Sequence, residues 1–247
     1  ALDSSSFYNI ERVNVTGTSK DDFIYTETGN DVINSGAGND SINAGAGNDT
    51  INAGLGEIDF VYGGDGTDLL ILDYSVGDTG SGMSSGVSNS GSGSASRSNT
   101  TNTVGLDLIL FYDIERFNIT GTSKDDSIYT WSGNDIINSG AGNDTIDGGA
   151  GSDTINAGDG NDSVTGGVGD TLDGEAGIDK LTLNLSGQTT ALNMTNYRST
   201  GINLAGIVTA KNFETFDITT GSGNDTTTQA GLVNGVVVRG NDSINTG

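Results

Sequence analysis

Residues 35–52 read SGAGNDSIN AGAGNDTIN, two nine-residue units in tandem. The register runs outward in both directions. Asp22, Asp31, Asp40 and Asp49 stand nine apart; one extra residue intervenes before Asp59, and Asp68 follows at nine. Two places after each Asp stands an apolar residue: Ile24, Ile33, Ile42, Ile51, Val61 and Leu70. A second array carries Asp126, Asp135, Asp144, Asp153 and Asp162; one residue is missing before Asp170, and Asp179 restores the spacing. Its apolar partners are Ile128, Ile137, Ile146, Ile155, Val164, Leu172 and Leu181. A third array begins at Asp225 and returns at Asp242, with Asn234 between and Thr227 in an apolar slot.

The arrays are copies of one another. Residues 8–54 align with 112–158 without gaps, and 36 of 47 positions are identical. Tyr8, Ile10, Glu11 and Arg12 recur as Tyr112, Ile114, Glu115 and Arg116, with a looser echo at 213–219. The expected organisation is a leader at 1–16, a first roll at 17–72 and a connector at 73–113. A second roll follows at 114–182, then a β-strand connector at 183–218 and the start of a third, incomplete roll at 219–247. Within the first connector, residues 77–103 are mostly Gly, Ser, Thr and Asn and read as a long flexible loop. In the second, LTLNLS, TALNMT and INLAGIV alternate as half-buried strands do. The chain opens in mid-pattern, and it reads as a piece of a longer protein.

A fixed period of nine sets the geometry. Six residues make a turn and three a short strand, x-U-x, whose apolar U faces one way and whose neighbours face the other. Two units complete a coil, so like faces meet every second unit. Ile24, Ile42 and Val61 then stack on one sheet, and Ile33, Ile51 and Leu70 on the facing one. Such a core is a thin pair of ladders, in keeping with only 32% hydrophobic residues. The same stacking sets carboxylate above carboxylate along each edge. Nine pairs result: 22/40, 40/59, 31/49, 49/68, 126/144, 144/162, 162/179, 135/153 and 153/170. Stacked carboxylates repel unless a cation lies between them, and Ca²⁺ accepts several oxygens in flexible geometry. All fifteen array aspartates, from Asp22 to Asp242, are therefore candidate metal ligands, with turn carbonyls completing each site.

Composition narrows the chemistry. Nine Lys and Arg stand against 33 Asp and Glu, a net charge of −24, which disfavours nucleic acid. The chain has no Cys, His or Pro. Disulfides, soft-ligand zinc or copper sites and His-based triads are thereby excluded. No apolar run approaches the ~20 residues that span a bilayer. Nothing resembles a catalytic constellation, so the expectation is a non-enzyme.

The unit, close to G-G-x-G-x-D-x-U-x, resembles the RTX, or haemolysin-type calcium-binding, nonapeptide repeat family. The leader T-G-T-S-K-D-D (16–22 and again 120–126) is similar to those of large cyanobacterial RTX surface proteins. The resemblance implies tandem right-handed parallel β-rolls, an all-β solenoid with β-strand connectors, binding multiple Ca²⁺ ions. It further implies an extracellular or cell-surface location, in a layer, sheath or filament made with copies of itself or other matrix components. An adhesin stalk or binding module, and the calcium-binding accessory region of a secreted enzyme or toxin, are the alternatives. Three side expectations accompany this reading. Asn30, Asn39, Asn48, Asn134, Asn143 and Asn161 are turn formers rather than ligands. Lys20 and Lys124 either cap the metal column or are solvated. Trp131 packs at an edge rather than binding sugar.

Overall fold

The computed structural model describes residues 3–7, 10–54, 56, 58–75, 82–87, 91–98, 106–195, 202–204, 207–228, 236–237 and 243–245. Every regular element among them is a β-strand. Three-residue strands such as Val32–Asn34, Thr50–Asn52 and Thr154–Asn156 recur, each separated from the next by a turn. The strands assemble into a thirteen-stranded sheet, a ten-stranded sheet facing it and a small three-stranded sheet near the end of the chain.

Register follows the nonapeptide. In the long sheet Ile24 pairs with Ile42 and Ile42 with Val61; in the facing sheet Ile33 pairs with Ile51 and Ile51 with Leu70. The second array repeats this, with Ile128, Ile146, Val164 and Leu181 in one ladder and Ile137, Ile155 and Leu172 in the other. All thirteen of these side chains are at most 2% exposed, so the two ladders form the predicted thin core. Parallel pairing at about 4.8 Å per coil lets each turn stack on the turn eighteen residues away. The turns approach so closely that glycine is obligatory at some positions. Gly47 has φ +145°, and a Cβ there would fall on the carbonyl oxygen of Gly29.

Two expectations need correction. The arrays are not separate rolls. In the ten-stranded sheet Leu69–Asp73 pairs directly with Arg116–Thr120, which pairs with Ile136–Asn138, all in parallel. The ten-stranded sheet resumes where it stopped, because the recurring leader at 116–120 is itself a roll strand. Nor is 77–103 a loop throughout. Met83–Val87 and Gly93–Ser98 form an antiparallel hairpin inside the long sheet, between Leu106–Tyr112 and Ser127–Tyr129. Its composition suggests a linker, but a strand edge left open at Leu106–Tyr112 recruits any segment able to alternate. Met83, Ser85 and Ala95 face inward and are buried, and the Tyr74 hydroxyl donates to the Ala95 carbonyl at 3.2 Å. The rest of 77–103 lies outside the described residues.

The second connector is strand-rich, as the alternation indicates: Lys180–Asn184, Asn193–Thr195, Ile202–Leu204, Val208–Lys211 and Thr215–Thr219. In the region of the third array, Thr226–Thr228 pairs with Asn193–Thr195 and Ser243–Asn245.

Candidate metal centre

Each coil edge is built from the turn residues Asn and Asp. All thirteen aspartates of the first two arrays, and Asp225, are at most 3% exposed. Asp242 lies outside the described residues. The nine predicted carboxylate pairs are all present, each joined by a hydrogen bond of one form. The backbone N–H of one Asp donates to Oδ1 of the Asp one coil further along. The distances are 2.8 Å for 22/40, 2.7 Å for 31/49, 2.8 Å for 49/68, 2.8 Å for 144/162 and 2.9 Å for 153/170. The remaining four pairs, 40/59, 126/144, 135/153 and 162/179, lie between 2.8 and 3.0 Å.

That bond employs one carboxylate oxygen and leaves the other. Oδ2 of Asp31, Asp40, Asp49, Asp68, Asp135, Asp144, Asp153, Asp162 and Asp179 is buried with no hydrogen-bond partner. A buried carboxylate oxygen without a partner costs several kcal/mol unless a cation or donor meets it. Beside Oδ2 of Asp68, Asp153 and Asp179 stands a glycine, Gly63, Gly148 or Gly174; five residues before the other six Asp the sequence has Thr26, Ser35, Ala44, Thr130, Ser139 and Ala157. A Cβ on Gly148 would stand 2.6 Å from Oδ2 of Asp153, and one on Gly63 2.6 Å from Oδ2 of Asp68.

Electrostatics repeats the point. Burial pushes the carboxyls of Asp49, Asp68, Asp135 and Asp162 up to about 6 and that of Asp153 to about 7, against an ordinary 3.8. The backbone N–H from the neighbouring coil pulls each down, without offsetting the burial. In four of the five, nearby carboxylates add to the upward push: Asp170, Asp135 and Asp147 around Asp153, for instance. Asp126, Asp144 and Asp179 are raised for the same leading reason. The metal-free edge is thus a column of carboxylates held where their charge is disfavoured.

The donor set restricts which cation could meet these oxygens. Among the described residues no three carboxylates converge. A bound ion would therefore take two carboxylates at most and draw its other ligands from turn carbonyls or water. All are hard oxygen donors, the set that suits Ca²⁺. The model of the RTX calcium-binding nonapeptide repeat (4 copies) matches residues 16–51, 53–73, 118–146, 139–170 and 147–181. The two arrays are RTX calcium-binding repeats. Among curated proteins none matches the chain.

Within the RTX roll the aspartates are not equivalent. Asp22 Oδ2 accepts from Thr18 N at 2.6 Å and Thr18 Oγ1 at 3.1 Å. Asp126 Oδ2 accepts from Thr122 N at 2.7 Å, while its Oδ1 takes Met83 N and Thr122 Oγ1. Asp170 Oδ2 accepts from Gly167 N at 2.6 Å. In Asp126 and Asp170 the protein already serves both oxygens, and in Asp22 it serves Oδ2.

Sequence reasoning missed three groups. The turn asparagines are more than turn formers: Oδ1 of Asn30, Asn39, Asn48, Asn134, Asn143 and Asn161 each accepts a backbone N–H from the next coil, at 2.9–3.0 Å. Asn thus reaches forward along the roll and Asp accepts from behind, so adjacent residues bind each coil in both directions. The leader glutamates complete the columns. Glu115 Oε2 accepts from Asp68 N and Glu214 Oε2 from Asp179 N, both at 2.8 Å. Their recurrence in the leaders was the available signal. The threonines of T-G-T-S-K-D-D close the first turn of each array onto Asp22 and Asp126. Lys20 is exposed, and Lys124 Nζ donates to Ser123 Oγ at 2.9 Å.

Proposed function

We propose that this segment is a non-catalytic structural roll of a secreted or surface protein, which folds and stiffens as it takes up calcium outside the cell. The observation that carries the reading is the run of nine buried, partnerless Oδ2 atoms along the two arrays. Nine Ca²⁺ ions, one per aspartate pair, would bring eighteen positive charges to a chain of −24. Because the carboxylate pairs are formed by stacked coils, binding energy is folding energy. Extracellular modules bind Ca²⁺ at about 10⁻⁴–10⁻³ M. The chain would stay unfolded in a calcium-poor cytosol and fold after export. Repetition of the same carboxylate pair along a stack, rather than one pair in one cleft, supports a structural role over an enzymatic one. A continuous stiff roll suits a layer, sheath or filament, with other copies or matrix components as neighbours.

The test is far-UV circular dichroism of metal-free protein at neutral pH during Ca²⁺ titration, with Mg²⁺ as control. The expected result is cooperative growth of β-signal specific to Ca²⁺. A β-fold indifferent to Ca²⁺ and intact in excess chelator would overturn the reading.

A further inference from the structure

The calcium machinery leaves one group of residues unused. Trp131 is 54% exposed and Tyr129 42% exposed, so the expected edge packing of Trp131 is absent. Both border an open recess of about 450 Å³ on the roll surface, completed by Asp147, Gly149 and Ala150. Trp131 has φ +70°, and Ser132 N donates to Thr130 O at 3.0 Å, which makes Trp131 the centre of a strained γ-turn. Left-handed backbone at a bulky residue costs about 1–3 kcal/mol and persists where surrounding structure enforces it. The Trp131 carbonyl accepts from Ala150 N at 2.8 Å, as the Glu27 carbonyl accepts from Ala46 N in the first array. The homologous turn of the first array shows that the roll does not require the left-handed backbone. There Glu27 occupies the place of Trp131 without positive φ, and Asn43 that of Asp147.

We infer that the Tyr129–Trp131–Asp147 recess is a binding site for a neutral glycan. Two exposed rings offer apolar faces with polar tips, suited to the C–H face and hydroxyl rim of a pyranose. Asp147 Oδ1 accepts from Gly149 N at 3.0 Å, which fixes the carboxylate; its remaining lone pairs accept sugar hydroxyls. Gly149, with φ +79°, and Ala150 keep the floor flat and low. The one charged lining residue is an acid on a chain of net charge −24, so phosphorylated or sulfated polymers are repelled. An organic ammonium shares the charge preference, but the recess is open and of ordinary small-ligand volume, large for one such headgroup. The site goes beyond a structural role, giving the roll a means of holding a polysaccharide matrix.

Trp131 is the chain's only tryptophan, so its fluorescence reports this recess alone. The experiment titrates the full calcium-loaded chain with cellohexaose, maltohexaose and chitohexaose, and separately with choline. A saturable Trp131 response to at least one hexaose is expected. Isothermal titration then follows the variants. Trp131→Glu, which installs the residue of the first array, should abolish glycan binding while leaving the Ca²⁺-induced circular dichroism unchanged. Asp147→Asn should weaken it about tenfold. No saturable response to any of the three glycans, binding undiminished in Trp131→Glu, or saturation by choline in their place would each overturn the proposal. None of these outcomes touches the calcium reading, which loss of the Ca²⁺-dependent β-signal alone would overturn.

Discussion

Lowering the pH should fold the metal-free chain, the reverse of ordinary acid denaturation. Five edge carboxyls have their pKa raised from 3.8 to about 6 or 7, led by burial. A carboxyl whose folded pKa exceeds its unfolded one favours the fold when protonated. The advantage is fully present below pH 3.8 and is lost as pH rises through 6 to 7. At 1.36 kcal/mol per pH unit, a rise of about two units is worth about 3 kcal/mol per group. These side chains are at most 1–2% exposed, so water screens little of that. Neighbours such as Asp49 and Asp68 are coupled, so the five do not simply add, but even a few of them are large against the stability of an ordinary domain, about 5–15 kcal/mol. The assay is thermal melting by circular dichroism of dilute, metal-stripped protein at pH 4 and at pH 7.5, each with and without Ca²⁺. Without Ca²⁺ the β-signal and melting temperature should be higher at pH 4. With Ca²⁺ the order should invert, because protons then compete with the metal. A metal-free melting temperature that is flat or rises between pH 4 and 7.5 would show that the edge carboxylates are not held against their charge.

Three substitutions follow from the same geometry. Gly148→Ala keeps a permitted backbone but sets a methyl 2.6 Å from Asp153 Oδ2, so the Ca²⁺ midpoint of the circular dichroism titration should rise while the saturated signal remains. Gly47→Ala, at φ +145°, should instead lose the saturated signal. Asp49→Asn retains the Oδ1 that accepts from Asp31 N but removes a buried charge; the metal-free chain should gain up to about 3 kcal/mol at pH 7.5, and isothermal titration should count fewer Ca²⁺. Glu115→Ala leaves the Asp68 N–H without its acceptor and should cost about 1–3 kcal/mol in urea unfolding, with Glu115→Gln near wild type.

The core and the aspartate pairs were legible because one period governs both sequence and coil. Once Asp40 and Ile42 are placed, Asp59 and Val61 follow from the spacing alone, and the one-residue insertion before Asp59 is absorbed in a turn. What the period does not encode was not legible. The hairpin at 83–98 is mostly Ser and Gly, whose strand propensity is low, and it pairs with the edge it meets. Glu115 stands 47 residues from Asp68 and becomes its neighbour only because Arg116–Thr120 pairs beside Leu69–Asp73. The direction in which Asn30 and Asp31 hydrogen-bond depends on side-chain reach across coils, which spacing leaves open. Trp131 and Ser132 replace Glu27 and Thr28 in an otherwise copied turn, and the backbone angle and exposure of Trp131 mark it out.

The connectors also change what the roll depends on. Along the arrays the core is one Ile, Val or Leu per strand, too thin to oppose a column of buried carboxylates. At the first junction it widens: Tyr74, Phe111, Ile114 and Phe117 are all at most 1% exposed, and the rings of Phe111 and Phe117 lie 5.2 Å apart. At the second, Leu183, Leu185, Leu192, Phe213 and Phe216 gather in the same way. The orphaned Asp135 reaches the first junction, its Oδ1 accepting from Phe117 N at 2.8 Å, but the junctions add apolar burial that the arrays lack. Each array is also tied to the junction after it by a leader glutamate, Glu115 or Glu214. In a stacked protein, stability is a sum of unit and nearest-neighbour terms. Junctions stable on their own would give calcium-poor coils a template to zip onto, in both directions from each. The large recurring module, array plus connector, then has a physical rationale: the connector nucleates, and calcium propagates.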